Sequence, residues 1–166
     1  MFYYLNNFLL YSIFGFLYET IVHLITSGKI VQNPFVGPWM PIYGFGIIIM
    51  IFLTRFVFNR LKMPRFLKVI SLFLLTIFIL TLLEELGGVI TEAVFHKSFW
   101  DYTDLKFNIG KYIALEVSLG WGSACLIFLY IIKPLTDKFI EKIPKIITII
   151  LILLIIIDFI CSFFLK

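Results

Sequence analysis

The chain has 166 residues, of which 61% are hydrophobic and 14% are charged, and its formal net charge is +4. A soluble domain carries about a quarter charged residues, so this composition excludes an ordinary soluble globular protein. The excess of basic residues does not indicate nucleic-acid binding, because these residues lie in short segments between long apolar runs, where they report membrane topology.

The first apolar run, at 5–27, has no basic n-region before it and no small-residue cleavage site after it. We therefore expect a first membrane span and not a removable signal peptide. Runs of this length cross a hydrocarbon core of about 30 Å as helices, and Pro41, Pro64 and Pro144 stand at the start of later runs. The sequence predicts an all-α polytopic membrane bundle, a single domain over 1–166. Its five transmembrane helices are expected at 5–27, 40–58, 67–95, 111–132 and 145–165.

Basic residues concentrate after the second and fourth predicted spans. These are nine of the 14 basic residues: Arg55, Arg60, Lys62, Arg65, Lys68, Lys133, Lys138, Lys142 and Lys145. The positive-inside rule assigns that side to the cytoplasm, which gives a cytoplasmic N-terminus and an external C-terminus. Eight of the ten acids then fall in the outer half or the outer loops: Glu19, Glu84, Glu85, Glu92, Asp101, Asp104, Glu116 and Asp158.

A pattern of the form G-x-x-x-E-x-x-x-H occurs in the first and third predicted spans. Its two copies, 73 residues apart, are Gly15, Glu19 and His23, and Gly88, Glu92 and His96. Positions i and i+4 share one helical face, so each copy forms a polar stripe. We predict a hairpin repeat, helices 1–2 and 3–4, followed by a lone fifth helix at 145–165. Chance recurrence of common residues is the alternative.

Carboxylates inside membrane spans are costly, about 2.5–3.5 kcal/mol for an Asp at the centre of a helix. We interpret these acids as the wall of a polar cavity in the outer half of the membrane. The cavity would bind a cation, a proton or an amine-bearing substrate. The predicted binding residues are Glu19, His23, Tyr43, Glu84, Glu85, Glu92, Asp101, Asn108 and Glu116. The alternative is that each acid only hydrogen-bonds a neighbouring helix.

The two Glu/His pairs, Glu19 with His23 and Glu92 with His96, also carry the atoms of a metal site. Carboxylate and imidazole suit zinc or iron-like metals, although the H-E-x-x-H and E-x-x-H spacings are absent. We predict no cofactor and keep the metal as a candidate. No phosphate-binding G-x-x-x-x-G-K-[ST] loop and no G-x-S-x-G nucleophile motif occurs. These absences favour a chain that is not an enzyme, and any ATP hydrolysis must come from a separate subunit.

Several ordered motifs resemble a known family. They are Phe14-Gly15-Phe16-Leu17-Tyr18-Glu19-Thr20, Pro41-Ile42-Tyr43-Gly44-Phe45-Gly46, Glu84…Gly88…Glu92, and Trp100-Asp101-Tyr102…Phe107-Asn108…Gly110. Over about 8–130 they resemble the bacterial CmpB-like ABC-transporter permeases, ABC-transporter type IV. The family usually has Asn-Arg-Gly-Phe where this chain has Asn33-Pro34-Phe35. The resemblance implies a multi-pass, permease-like component of the bacterial plasma membrane.

Three functions fit these observations. The first is a transporter permease component, surrounded by membrane lipids and working as a homodimer or with a partner membrane subunit or ATPase. The second is an intramembrane enzyme, with or without a metal, that acts on lipid or cell-envelope intermediates. The third is a non-catalytic assembly or sensory subunit. The number of acids in the outer half favours the first.

Overall fold

The computed structural model describes residues 1–165 as a bundle of membrane-length helices. Within that range, five helices are long and apolar enough to cross a membrane: Phe2–Ser27, Pro41–Phe58, Arg65–Phe95, Leu115–Ile140 and Lys145–Phe164. Helices form because lipid offers no hydrogen bonds to the backbone, so each apolar run must satisfy its own N–H and C=O groups. The predicted all-α membrane bundle with five spans is confirmed.

Over the described residues, six α-helices and two π-helical segments make up the bundle. The α-helices are α1 Phe2–Ser27, α2 Pro41–Phe52, α3 Arg65–Phe95, α4 Leu115–Ile127, α5 Lys133–Ile140 and α6 Lys145–Leu165. Two π-helical segments, Leu53–Phe58 and Phe128–Ile132, extend α2 and join α4 to α5.

The fourth span differs from the prediction at both ends. It begins at Leu115, and not at 111, because Asn108–Ile109 and Ile113–Ala114 pair as a short antiparallel hairpin. It ends at Ile140, and not at 132. The wide π-helical turns come directly before Pro134, whose ring lacks an N–H and would crowd a regular helix. The change of pitch lets the helix continue past the proline.

The connecting segments divide by length between the two ends of the bundle. At one end, which we name the basic face, the short segments 59–64 and 141–144 lie beside the start of α1. At the other end, which we name the loop face, lie the longer segments 28–40 and 96–114. The long segments can therefore reach over the ends of the helices and contribute side chains to a site at the loop face.

The helices pack as two antiparallel pairs. The closest contacts join α1 to α2 and α3 to α4, and α6 contacts mainly α1. The buried apolar side chains form two clusters: Tyr11, Ile47, Ile51 and Ile140, and Met50, Phe58, Leu72 and Cys125. These pairs are the hairpins that the repeated pattern predicts, with α6 added at the side of the first.

Candidate functional site

Glu84, on α3, is the most enclosed carboxylate of the spans, with only 4% of its surface exposed. Its two oxygens each accept one hydrogen bond. The Tyr102 hydroxyl donates to Oε1 at 2.6 Å, and the Trp121 indole N–H donates to Oε2 at 3.0 Å. Tyr102 comes from the segment 96–114 and Trp121 from α4. A buried carboxylate is therefore satisfied by donors from two different elements.

Glu19, on α1, belongs to the same cluster. The Tyr43 hydroxyl of α2 donates to its Oε1, and the ring of Tyr43 lies 4.8 Å from the ring of Trp121, centroid to centroid. Trp121 in turn donates to Glu84. The two carboxylates, one from each hairpin, are therefore connected through the contacting rings of Tyr43 and Trp121.

We name Glu19, Tyr43, Glu84, Tyr102 and Trp121 the acid–aromatic cluster. It joins α1, α2, α3, α4 and the segment 96–114. Burial, followed by the neighbouring Glu84 and Glu19 carboxylates, raises the pKa of the Tyr102 phenol above its ordinary value. Tyr102 therefore remains protonated and serves as a hydrogen-bond donor over the physiological pH range.

His23 lies between this cluster and the loop face. Its Nε2 lies 4.0 Å from Oε2 of Glu19, one helical turn along α1, and the imidazole is 45% exposed. The carboxylate of Glu19 is less exposed, at 28%. Exposure therefore falls along the series His23, Glu19, Glu84, from the loop face into the bundle.

A small apolar cavity of about 50 Å³ lies against the cluster. Tyr43 and Trp121 form part of its wall, and the remaining lining residues come from the same four spans: Tyr11, Ile42, Gly46, Ile47, Met50, Leu80, Leu83, Ala124, Cys125 and Phe128. This volume accepts one or two waters at most, and the lining gives a water few polar partners. The bundle is thus closely packed on the side of the acids that is away from the loop face.

The second hairpin repeats the first in detail. The ring of Tyr43 lies against Gly15 while its hydroxyl binds Glu19. In the same way, the ring of Tyr112 lies against Gly88 while its hydroxyl binds Glu92. The glycine and the glutamate are one helical turn apart in both cases, so the missing side chain makes room for the ring. These matching contacts support the predicted hairpin repeat.

Glu92 differs from Glu19 by having a cationic partner. Its Oε1 lies 2.7 Å from the Lys111 ammonium. The hydrogen bond to Glu92 raises the pKa of Lys111, so this ion pair is maintained at neutral pH. Glu92 therefore holds the segment 96–114 against α3 instead of joining Glu84.

The other predicted binding residues make local contacts at the loop face. Asp101 accepts hydrogen bonds from the backbone N–H and the hydroxyl of Thr103, at 2.9 and 2.7 Å, which lower the pKa of its carboxyl. The amide of Asn108 donates to the Gly110 carbonyl at 2.9 Å. Glu116 accepts from a backbone N–H of the same segment at 3.3 Å. Within the described residues, these three groups share no hydrogen bond with the acid–aromatic cluster.

Glu85 and Asp158, two more acids of the spans, differ in their hydrogen-bond partners. Oε2 of Glu85 is buried and has no hydrogen-bond partner within 1–165. Asp158 of α6 accepts from the backbone N–H groups of Val36 and Gly37, at 3.0 and 2.8 Å, and from the Trp39 indole at 2.7 Å. The hydrogen bonds thus divide the acids near the loop face into several separate contacts, and Glu19 and Glu84 are the two that the rings of Tyr43 and Trp121 connect between the hairpins.

The residues predicted as metal ligands also lie in separate contacts. Among the residues that the structure describes, no group of three or more His, Cys, Asp or Glu side chains is arranged to hold a metal ion. Glu19 and His23 are a pair, and Glu92 binds Lys111 and Tyr112. His96 ends α3 in a left-handed conformation, with φ of 52°. A metal at either pair would need further ligands.

Sequence reasoning missed Tyr102 and Trp121 as binding partners of Glu84. The signal for Trp121 was its position in Gly120-Trp121-Gly122, in the apolar fourth span. A buried indole needs an acceptor for its N–H, and the acids of the third span were the nearest candidates. Tyr102 lies in a loop, where no helical spacing connects it to Glu84.

These observations define the class of the protein. It is a helical membrane protein built from two matching hairpins and a fifth helix. The chain belongs to the family described as "Putative ABC-transporter type IV", whose model matches residues 6–165. The match includes α6 and extends beyond the 8–130 expected from the motifs. Neither a curated protein nor a solved structure matches the chain. It is therefore a membrane protein of a transporter-related family.

Proposed function

We propose that this protein is the membrane-embedded component of a transport complex, and that Glu19 and Glu84 bind a proton or a cationic, amine-bearing substrate between the two hairpins. The observation that carries the proposal is the buried Glu84 carboxylate, which Tyr102 and Trp121 hydrogen-bond and which Trp121 and Tyr43 connect to Glu19. Ionisable groups within membrane spans are expensive and commonly mark ion or substrate pathways.

The chemistry of the acid–aromatic cluster suits a cation. Two carboxylates supply negative charge, and the faces of Tyr43 and Trp121 offer the electron-rich surface that attracts ammonium groups. A bound cation would also neutralise the negative charge of the two carboxylates within the spans. When no cation is bound, a shared proton would have the same effect.

Access would come from the loop face. His23 and Glu19 are more exposed than Glu84, and Tyr102 covers Glu84 from the segment 96–114. Because the central cavity holds about 50 Å³, an organic substrate requires Tyr102, Tyr43 or Trp121 to move. The described conformation would then be the closed one, with transport depending on displacement of that segment.

Orientation and partners follow from charge and family. Nine of the 14 basic residues lie at or near the basic face, which we assign to the cytoplasm of a bacterial cell. The acid–aromatic cluster then opens outward. ATP hydrolysis would come from a separate ATPase, because the chain has no phosphate-binding loop. That subunit would dock on the basic face.

Flux measurements on carboxylate variants test this proposal. Membrane vesicles from the protein's own host, which retain its partners, would be assayed for proton flux with an internal pH dye and for uptake of labelled methylammonium. We expect Glu84→Gln and Glu19→Gln to lower one of these fluxes at least about tenfold, because the amide cannot hold the charge. Asp104→Asn, an exposed acid in the segment 96–114, should leave it unchanged. Equal flux in all variants would refute the proposal.

A further inference from the structure

The fifth span is attached to the bundle at two separate polar points. Near the basic face, the Thr148 hydroxyl of α6 donates to the amide oxygen of Asn6 on α1 at 2.5 Å. Near the loop face, Asp158 accepts from the segment 28–40. Residues 148 and 158 are about 15 Å apart along a helix. The interval between the two attachments is free of polar contacts to α1 within the described residues.

A gap of about 310 Å³ lies between α1 and the first turns of α6, beside the attachment near the basic face. Leu9 and Ile13 of α1 form one wall, and Ile147 and Leu151 of α6 form the other. Its end at the basic face is formed by residues 139 and 142–144, including the one charged residue of the lining, Lys142. An apolar gap that ends at a single cation has the character of an amphipathic ligand site.

The charge around this end is mainly positive. Lys138 lies in the last turn of α5, four residues before Lys142 in the connecting turn, and Lys145 begins α6. Lys138 and Lys142 are exposed and make no ion pair within 1–165. Glu141 is the exposed acid among them. Lysines at the edge of a membrane span attract anionic headgroups.

The lining of the gap suits an acyl chain. Leu9 and Ile13 on α1 and Ile147 and Leu151 on α6 are apolar, and the 44% exposure of Ile147 shows that the gap opens at the surface of the bundle. A lipid tail can therefore enter from the bilayer while its headgroup stays at the basic face.

From these contacts we propose that one anionic phospholipid binds between α1 and α6. An acyl chain lies in the gap against Leu9, Ile13 and Leu151, and the phosphate headgroup contacts Lys142 and Lys138. The lipid completes the packing of α6 on the bundle. This site is separate from the acid–aromatic cluster and does not depend on transport.

Native mass spectrometry of the purified chain tests the proposal, with equal amounts of phosphatidylglycerol and phosphatidylcholine added in mild detergent. We expect the wild-type chain to retain one phosphatidylglycerol at least about fivefold in preference to phosphatidylcholine. Lys142→Gln should remove this preference. Lys62→Gln, an exposed lysine in the other short segment of the basic face, is the matched control and should keep it.

A second variant fills the gap without changing charge. Ile147 is 44% exposed, so Ile147→Trp can be accommodated at the surface and should lower retention of both lipids. Equal retention of the two lipids by the wild-type chain would overturn the proposal, as would the same preference in Lys142→Gln and Lys62→Gln. A dimer that Ile147→Trp abolishes would assign the gap to a second copy and would also overturn it.

Discussion

Gly15 and Gly88 each lie beneath a tyrosine ring whose hydroxyl binds a glutamate one turn further along the helix. Glycine is required in this arrangement for space and not for backbone conformation, since both residues are within regular helices. A methyl group at Gly15 would lie only 2.7 Å from the Cβ of Tyr43. The ring would have to leave the position from which it reaches Glu19.

Replacing Gly15 with alanine should therefore displace Tyr43 and destabilise the bundle. Overpacking in a close-packed interior costs about 1–3 kcal/mol, which exceeds the roughly 1 kcal/mol that alanine gains over glycine in a helix. We expect the Gly15→Ala protein to melt several degrees lower in thermal-shift measurements.

Gly120→Ala is the matched control, because a methyl group there meets nothing within 4 Å. That variant should melt at the same temperature or slightly higher. An unchanged melting temperature for Gly15→Ala would show that the Tyr43 ring is free to move, and would remove the steric reason for the repeated glycine.

At the residue level, the sequence predicted Glu19, Glu84 and Tyr43 as site residues, and these three lie together. It could do so because carboxylates within apolar runs are rare enough to stand out. The sequence did not separate them from Glu92, because the neutralising Lys111 lies 19 residues further on, in an irregular segment. Helical spacing relates residues of one helix and carries no information about such a contact.

At the scale of elements, α6 shows how a very apolar helix is fixed beside a bundle. Its long isoleucine-rich face gives no preferred rotation in lipid, because lipid is as apolar as a neighbouring helix. The hydrogen bonds at Thr148 and Asp158 define both its rotation and its depth. Asp158 also organises the segment 28–40, by accepting two backbone N–H groups and the Trp39 indole.

Asp158→Asn should loosen the segment 28–40 while leaving the helices in place. Hydrogen bonds to a charged group contribute about 1.5–3 kcal/mol, and the amide presents a donor to N–H groups that need an acceptor. We expect backbone amides of 33–39 to exchange hydrogen at least about tenfold faster, measured by mass spectrometry. Cys161→Ala, an exposed change less than one turn away, should leave the exchange unaltered. Faster exchange in both variants would contradict a specific role for Asp158.

Element boundaries were predictable where the sequence marks them. The second and third spans begin next to Pro41 and Pro64, as expected. The fourth span was predicted less well, because the hairpin before Leu115 and the π-helical turns before Pro134 depend on tertiary packing. Hydropathy alone starts the fourth span at 111, because a mostly apolar run follows Lys111, and treats a proline beside a lysine as an end.

At the scale of the molecule, the two ends of the bundle differ in both charge and structure. The basic face has short connections and most of the cations, and the loop face has long segments that carry Trp39, Tyr102 and Lys111 into contact with the helices. Both proposals depend on this asymmetry. The acid–aromatic cluster opens toward the loop face, and the lipid gap has its cation at the basic face.

The orientation of this asymmetry can be measured with single cysteines. In a background with Cys125→Ala and Cys161→Ala, Lys106→Cys would place a thiol in the segment 96–114, and Lys62→Cys would place one in the segment 59–64. Both positions are exposed lysines, so the variants differ mainly in the side of the membrane. We expect a membrane-impermeant maleimide to label Lys106→Cys in intact cells, and Lys62→Cys only after the cells are opened.

The physical basis of this expectation is that basic residues near span ends are retained on the cytoplasmic side during insertion. Lys62→Cys leaves eight of the nine basic residues at that end, so the substitution itself should not invert the chain. The reverse labelling would place the acid–aromatic cluster toward the cytoplasm. A substrate would then enter from inside the cell, and the partner ATPase would have to dock on the loop face, where the segment 96–114 covers Glu84.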